Sequence, residues 1–334
     1  MAIQQMLLGG SLSIDSLFST DLYTGNATST PNTQSIVNGI DLSSEGGLVW
    51  LKSRTQTGNN FFFDTSRGAT KYLIGNGTTG TFTDVNTLTS FNSDGFSLGT
   101  DNSNVNRDSV DYVAWTFRKQ PKFFDIVEYA GSTTQQTISH NLGSEPGAMI
   151  IVEKNGLSQG YRWFYHRDMA NGSYIFWNDG NGSQYNNWLS RPPTSTDFTV
   201  PNDPYTNDNG KNYIVYLWAH DAVSEFSTDG ASPVIKCGSY TGTGTANTIS
   251  ETLGFEPQFL IIKREVTGHH FYVVDSTRGT DNYLLASTSG SEAQITGEVD
   301  FTPTGFDINP KTNGGVSVLN YTSYKYLYIA VAAP

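Results

Sequence analysis

Short apolar runs punctuated by turn residues dominate the chain. Leu48-Val-Trp-Leu51, Ala148 to Val152, Phe259-Leu-Ile-Ile262 and Tyr112-Val-Ala-Trp-Thr-Phe117 are rich in β-branched and aromatic side chains and bounded by Gly, Pro, Asn or Asp. Each has the length of a strand. No window of ten or more residues carries a clean helical period without a breaker. Many short strands with turns between them predict an all-β fold of antiparallel β-sandwich, jelly-roll-like units. Gly95, Gly305 and Gly131 sit beside aromatic strand residues, where they are expected to supply dihedral angles that only glycine adopts cheaply.

The pattern repeats. Tyr129-Ala-Gly-Ser aligns with Tyr240-Thr-Gly-Thr at a shift of 111, and the same shift brings Ile138-Ser139 onto Ile249-Ser250, Leu142-Gly143 onto Leu253-Gly254 and Glu145-Pro146 onto Glu256-Pro257. At a shift of 211, Asp64-Thr-Ser-Arg67-Gly68 falls on Asp275-Ser-Thr-Arg278-Gly279, Tyr72-Leu73 on Tyr283-Leu284, and Lys52 on Lys263. Tyr23-Thr-Gly-Asn opens the first copy, and Asn106, Asn207 and Asn320 each stand six residues before Tyr112, Tyr213 and Tyr326. Three tandem modules are therefore expected, at 21–120, 124–221 and 233–334, behind an N-terminal arm of residues 1–20. Units of this size are long enough to fold alone, so the expectation is of independent beads joined by links such as Lys119-Gln-Pro121-Lys.

Composition narrows the partners. Charged residues make up 15% of the 334, and the net charge is −12. That excess of acid argues against nucleic acid, whose affinity rests on Lys and Arg, and against anionic membranes. The longest apolar runs fall far short of the roughly 20 residues that span a bilayer, and Met1 to Leu8 lacks the basic start of a secretory signal. Cys237 is the only cysteine, which leaves no intrachain disulfide and no cysteine-based zinc site.

Candidate chemistry is sparse. Gly75-Asn-Gly77-Thr-Thr-Gly80 spells a dinucleotide fingerprint and Gly95-Phe-Ser97-Leu-Gly99 a nucleophile elbow, but both need a following helix and the text here reads as turn and strand. His140, His166, His220, His269 and His270 show no helical metal spacing, and the adjacent pair would point to opposite faces of a strand. The Asp- and Asn-rich loops at 101–106 and 202–210 lack the closing Glu of a calcium loop. No catalytic residue, metal or cofactor is assigned. Asp64 with Arg67 and Asp275 with Arg278 read as repeated structural pairs, in which Asp accepts backbone N–H groups of a turn. In the second copy His166-Arg-Asp168 replaces them. The best surface candidate is Tyr161, Trp163, Tyr165, Tyr174, Trp177, Tyr185 and Trp188 with Asn178 and Asp179. Flat rings beside amides and carboxylates suit sugars, but the first reading of such rings is a core or a subunit interface, with a glycan site second.

The stretches Gly46-Gly-Leu-Val-Trp-Leu-Lys-Ser-Arg54, Asn60-Phe-Phe-Phe-Asp-Thr-Ser-Arg-Gly68 and Thr87 to Leu98, with the close Tyr112 to Lys119 and the opening Met1 to Gly10, resemble a module in structural proteins of marine tailed phages. The resemblance is strong in the first copy, good in the third and loose in the second. It implies a virion structural protein rather than an enzyme: part of a tail fibre or appendage serving assembly and host-surface attachment. Alternatives are a capsid-attached fibre or decoration protein, a glycan-binding receptor-recognition module, and a glycan hydrolase. The expected location is the virion, after synthesis in the host cytoplasm. Expected partners are other virion proteins, docked through Met1, Ile3, Met6, Leu7 and Leu8 of the arm, further copies in a homo-oligomer, and host polysaccharide.

Overall fold

The computed structural model describes residues 13–28, 32–154, 160–170, 172–178, 189, 191–266 and 268–334. Among them the chain is all-β, with antiparallel sheets, one short 3-10 turn at Ile14–Ser16 and no α-helix. Every sheet takes its strands from one repeat only.

Each module pairs a large sheet with a small one. The large sheet begins with an opening strand (Phe18–Thr24, Phe124–Ala130, Ile235–Thr241) against a closing strand (Asp111–Arg118, Asn212–Ala219, Lys325–Ala332). A middle strand follows (Gly47–Ser53, Pro146–Glu153, Pro257–Arg264), then a hairpin strand (Asn60–Asp64, Arg162–His166, Phe271–Asp275) and an outer strand (Lys71–Ile74, Ile175–Phe176, Asn282–Leu285). The small sheet has three strands in the first and third modules and, among the described residues, two in the second.

The middle strand is buried on both faces. Val49 and Leu51 point toward their own small sheet, into a core with Phe61, Phe63, Leu88 and Phe96. Leu48 and Trp50 point the opposite way, as the two-residue period of a strand requires, into a core that contains residues of all three modules. In the third module Leu260 and Ile262 take the private side, while Phe259 and Ile261 take the shared one.

The shared core is aromatic and layered. Near the links, Phe117 of the first module packs against Phe124 and Trp218 of the second (5.4 and 5.9 Å between centroids) and Phe259 of the third (5.6 Å). One layer further in, Trp177 of the second module meets Trp50 of the first at 5.7 Å and Phe271 of the third at 4.5 Å. This overturns the expectation of independent beads. A lone module would leave one whole face of its large sheet, rings included, in water, where each buried aromatic forfeits about 1.5–3 kcal/mol.

The first module also starts before residue 21. Ile14 and Leu17 are buried in the shared core, and Phe18 stands opposite Phe117 in the sheet. The arm thus shortens to residues preceding Ser13. Met1, Ile3, Met6, Leu7 and Leu8 lie outside the described residues.

Candidate functional site at the module junctions

The repeated Asn and Tyr form a buried knot at the end of each module remote from the links. Asn106 accepts from Asn26 N–H (2.9 Å) and donates to Gly99 O (2.8 Å). Asn207 accepts from Ser132 N–H (2.9 Å) and donates to Pro201 O (2.7 Å); Asn320 accepts from Thr243 N–H (2.8 Å) and donates to Asn247 O (3.1 Å). Beside them Tyr23 stacks on Tyr112, Tyr129 on Tyr213 and Tyr240 on Tyr326, each pair 5.0 Å apart. The glycine two residues after each opening tyrosine permits the chain crossing: a Cβ on Gly25, Gly131 or Gly242 would come within 2.1, 1.9 or 2.2 Å of a carbonyl oxygen. Close approach, rather than a special dihedral, explains Gly131 and also Gly305, whereas Gly95 does have a φ of +143°.

The Asp–Arg pairs lie at the junctions between modules. Asp64 Oδ1 accepts from Arg67 N–H (2.9 Å) and Oδ2 from Arg67 Nε (2.6 Å), while Arg67 Nη2 donates to Phe62 O (2.7 Å). Asp275 and Arg278 repeat this turn (2.8, 2.6 and 3.0 Å). Each Asp then reaches the next module's closing strand. Tyr216 donates its hydroxyl to Asp64 Oδ2 (2.8 Å), and Trp115 donates its indole N–H to Asp275 Oδ2 (3.0 Å). Trp115, Tyr216 and Ile329 are equivalent, each three residues after the knot tyrosine. Where Ile329 has no donor, the equivalent of Asp is His166, which bonds the carbonyl of Tyr328 (3.1 Å). First to second, second to third and third to first, the contacts close a ring of approximate threefold symmetry. The departure of the second copy from the Asp-x-x-Arg pattern thus matches the partner it faces.

A second set of polar contacts crosses the same junctions. Lys52 is fully buried and donates to Gly58 O and, in the third module, to Thr288 O, both at 3.0 Å. Asn60 accepts from Trp50 Nε1 (2.9 Å) and donates to Thr288 O (2.9 Å). Across the next junction Arg162 donates to Thr79 O and Asn178 to Gly77 O (2.9 Å). Burial pushes the Lys52 ammonium down to about 7 and the Arg162 guanidinium to about 10. It likewise lowers His166 to about 4 and raises the Cys237 thiol, which leaves that cysteine without thiolate character.

The aromatic surface candidate divides. Trp177 is fully buried between modules, Asn178 is spent on backbone carbonyls, and Trp163 is buried against Phe176. These three belong to the interior: Trp163 lies in the hairpin strand, and Trp177 and Asn178 lie in the turn after the outer strand, which meets the neighbouring modules. Tyr161 and Tyr165 are half-buried. Tyr205, which sequence reasoning left out, stacks on Trp163 at 5.5 Å and is exposed. Asp179, Tyr185 and Trp188 lie outside the described residues.

The other motifs resolve into structure. The glycine-rich run at 75–80 is a loop after a strand, and Ser97 lies in the strand Gly95–Leu98. Asp101 and Asp203 accept backbone N–H groups of their own turns. His269 and His270 precede a strand rather than lying in one. No group of three or more metal-ligating side chains occurs among the described residues.

Tyr216, Trp115, Arg162 and Lys52 carry the junctions, and sequence reasoning named none of them for that role. The signal available was the equivalence of Trp115, Tyr216 and Ile329 within the repeat.

The family DUF7483, a domain of unknown function, matches residues 15–334, and the chain belongs to it. The match spans all three modules as one unit. No curated protein matches the chain.

Proposed function

We propose that the chain is a non-enzymatic structural subunit of a phage virion, part of a tail fibre or appendage that serves assembly and attachment to the host surface. The observation that carries this reading is the closed ring of three modules around one aromatic core. Its repeated polar residues are buried and bonded to one another or to backbone, so the motifs are spent on rigidity. The ring also has two unlike ends. Ile14 and Pro334 line one cleft beside the 227–234 link, where the chain's flanking segment can meet a neighbour. The other end carries the Asn–Tyr knots and the exposed Tyr321 and Tyr324, over which Arg264 lies at 5.5 and 4.2 Å. Rigid presentation of such loops in many copies makes weak contacts effective.

The test separates docking from folding. Removing residues 2–12, rather than 1–20, leaves every described residue in place. The shortened chain is expected to melt like the parent and to be missing from purified particles. Normal incorporation of a folded, shortened chain would overturn the docking role. Labelling of the chain in images of intact particles tells a tail position from a capsid one.

A further inference from the structure

Two junctions share a backbone pattern, and one of them lacks a carboxylate that the other has. Between the third and first modules, Glu292 donates its backbone N–H to Arg54 O at 2.8 Å. Its carboxylate bridges Arg54 Nη2 (2.9 Å) and Arg278 Nη1 (3.2 Å). Two arginines there face two acids, Asp275 and Glu292, while the third basic group, Lys52, is bonded to the carbonyls of Gly58 and Thr288. Between the first and second modules, Thr81 stands 211 positions before Glu292 and donates its backbone N–H to Lys154 O at 2.9 Å. The backbone is the same, but no carboxylate projects from it.

The consequences appear in the partners. Arg67 is the counterpart of Arg278 and keeps its bonds to Asp64 and Phe62 O. Its Nη1, the atom that in Arg278 meets Glu292, is buried without a partner among the described residues, as are Thr81 Oγ1 and Arg162 Nε. Arg162 crosses the same junction to Ile74 O and Thr79 O, and Arg67 is near enough to disfavour its charge. Lys154 turns away to Glu128, at 2.6 Å. Among the described residues, Asp64 is the one carboxylate bonded to these two buried guanidinium groups. Glu153 and Glu128, which act on them from further away, are paired with Lys211 and Lys154, so the junction keeps a surplus of one positive charge. A buried cation without a counter-charge is costly.

We propose that the junction between the first and second modules binds a small monovalent anion of chloride size at the position Glu292's carboxylate takes in the other junction. Arg67 Nη1 and the Thr81 hydroxyl donate to it, and Arg162 supplies the second positive charge. One negative charge balances the junction, whereas a dianion would overcharge it.

The full-length chain is melted in sodium chloride and in sodium gluconate at matched ionic strength. Chloride is expected to raise the Tm by about 2 °C or more. Thr81→Glu supplies the carboxylate covalently, so it is expected to melt alike in both salts and, in gluconate, above the parent. A crystal of the parent soaked in bromide is expected to show an anomalous peak within hydrogen-bond reach of Arg67 Nη1, a readout that stands even if the variant fails to fold. Absence of that peak overturns the proposal whatever the melting shows. A chloride effect as large in folded Thr81→Glu as in the parent also overturns it.

Discussion

Asn320 shows what a single repeated residue does here. Its side chain is fully buried and meets Thr243 N–H, Thr245 O and Asn247 O, so it replaces water for three backbone groups of one crossing. Asn320→Ala strands those groups and is expected to cost about 2–4 kcal/mol, read by urea denaturation, with the far-ultraviolet spectrum unchanged. Lys52 and Lys263 act through pH. Both are pushed by burial from 10.5 to about 7. Between about pH 7 and 10 the unfolded chain holds more protons at these sites than the folded one, so stability rises with pH across that window. Below pH 7 both states are protonated and the cost of burying charge is fully present. The buried tyrosines, such as Tyr129 and Tyr216, keep their protons longer when folded, so stability falls again above about pH 10. Lys52→Met is expected to raise stability at pH 7 and flatten the rise, as measured by denaturation at several pH values. An unchanged slope would show that Lys52 keeps its proton in the fold across that window.

At the scale of the element, the middle strands held information that the three-bead reading passed over. Leu48-Val-Trp-Leu51 and Phe259-Leu-Ile-Ile262 are unbroken apolar runs. A strand with one wet face alternates apolar and polar residues, and a continuous run marks burial on both faces. The runs identified strands correctly and also implied a second packing layer, which the small sheet of one module cannot supply. What the run does not contain is the identity of that layer. Tyr216 is the element's contribution to the answer, since its hydroxyl sits between Asp64 and Arg67 of a neighbouring module. Tyr216→Phe keeps the ring and removes the bond. The expected loss is about 1.5–3 kcal/mol, as for hydrogen bonds to charged groups, and a loss near zero would mean that the closing strand is held by packing alone.

For the whole molecule, a core shared by three modules makes folding collective. Calorimetry of the full chain is expected to show one transition, with calorimetric and van't Hoff enthalpies that agree. Three independent beads would give three overlapping transitions. A chain ending after residue 222 lacks the third module's Phe259, Ile261 and Phe271, all buried in the shared core. It is expected to expose aromatic surface and associate in solution, seen by light scattering, whereas beads would leave two soluble, folded modules. The family match over 15–334 agrees with a unit of three.

Local sequence specifies the strand class, the three-fold repetition and the residues at which each copy turns, because these depend on local periodicity and on short-range turn chemistry. It also marked Asp64, Arg67, Asp275 and Arg278 as paired. Long-range packing gave the copies one interior and carried each pair into the next copy. It also turned Trp177 inward, whereas the sequence kept a sugar site open beside the core reading. The reason is physical. A strand's period says that a face is apolar but not what covers it, and the cover here comes from residues more than a hundred positions away, brought close only when the ring closes.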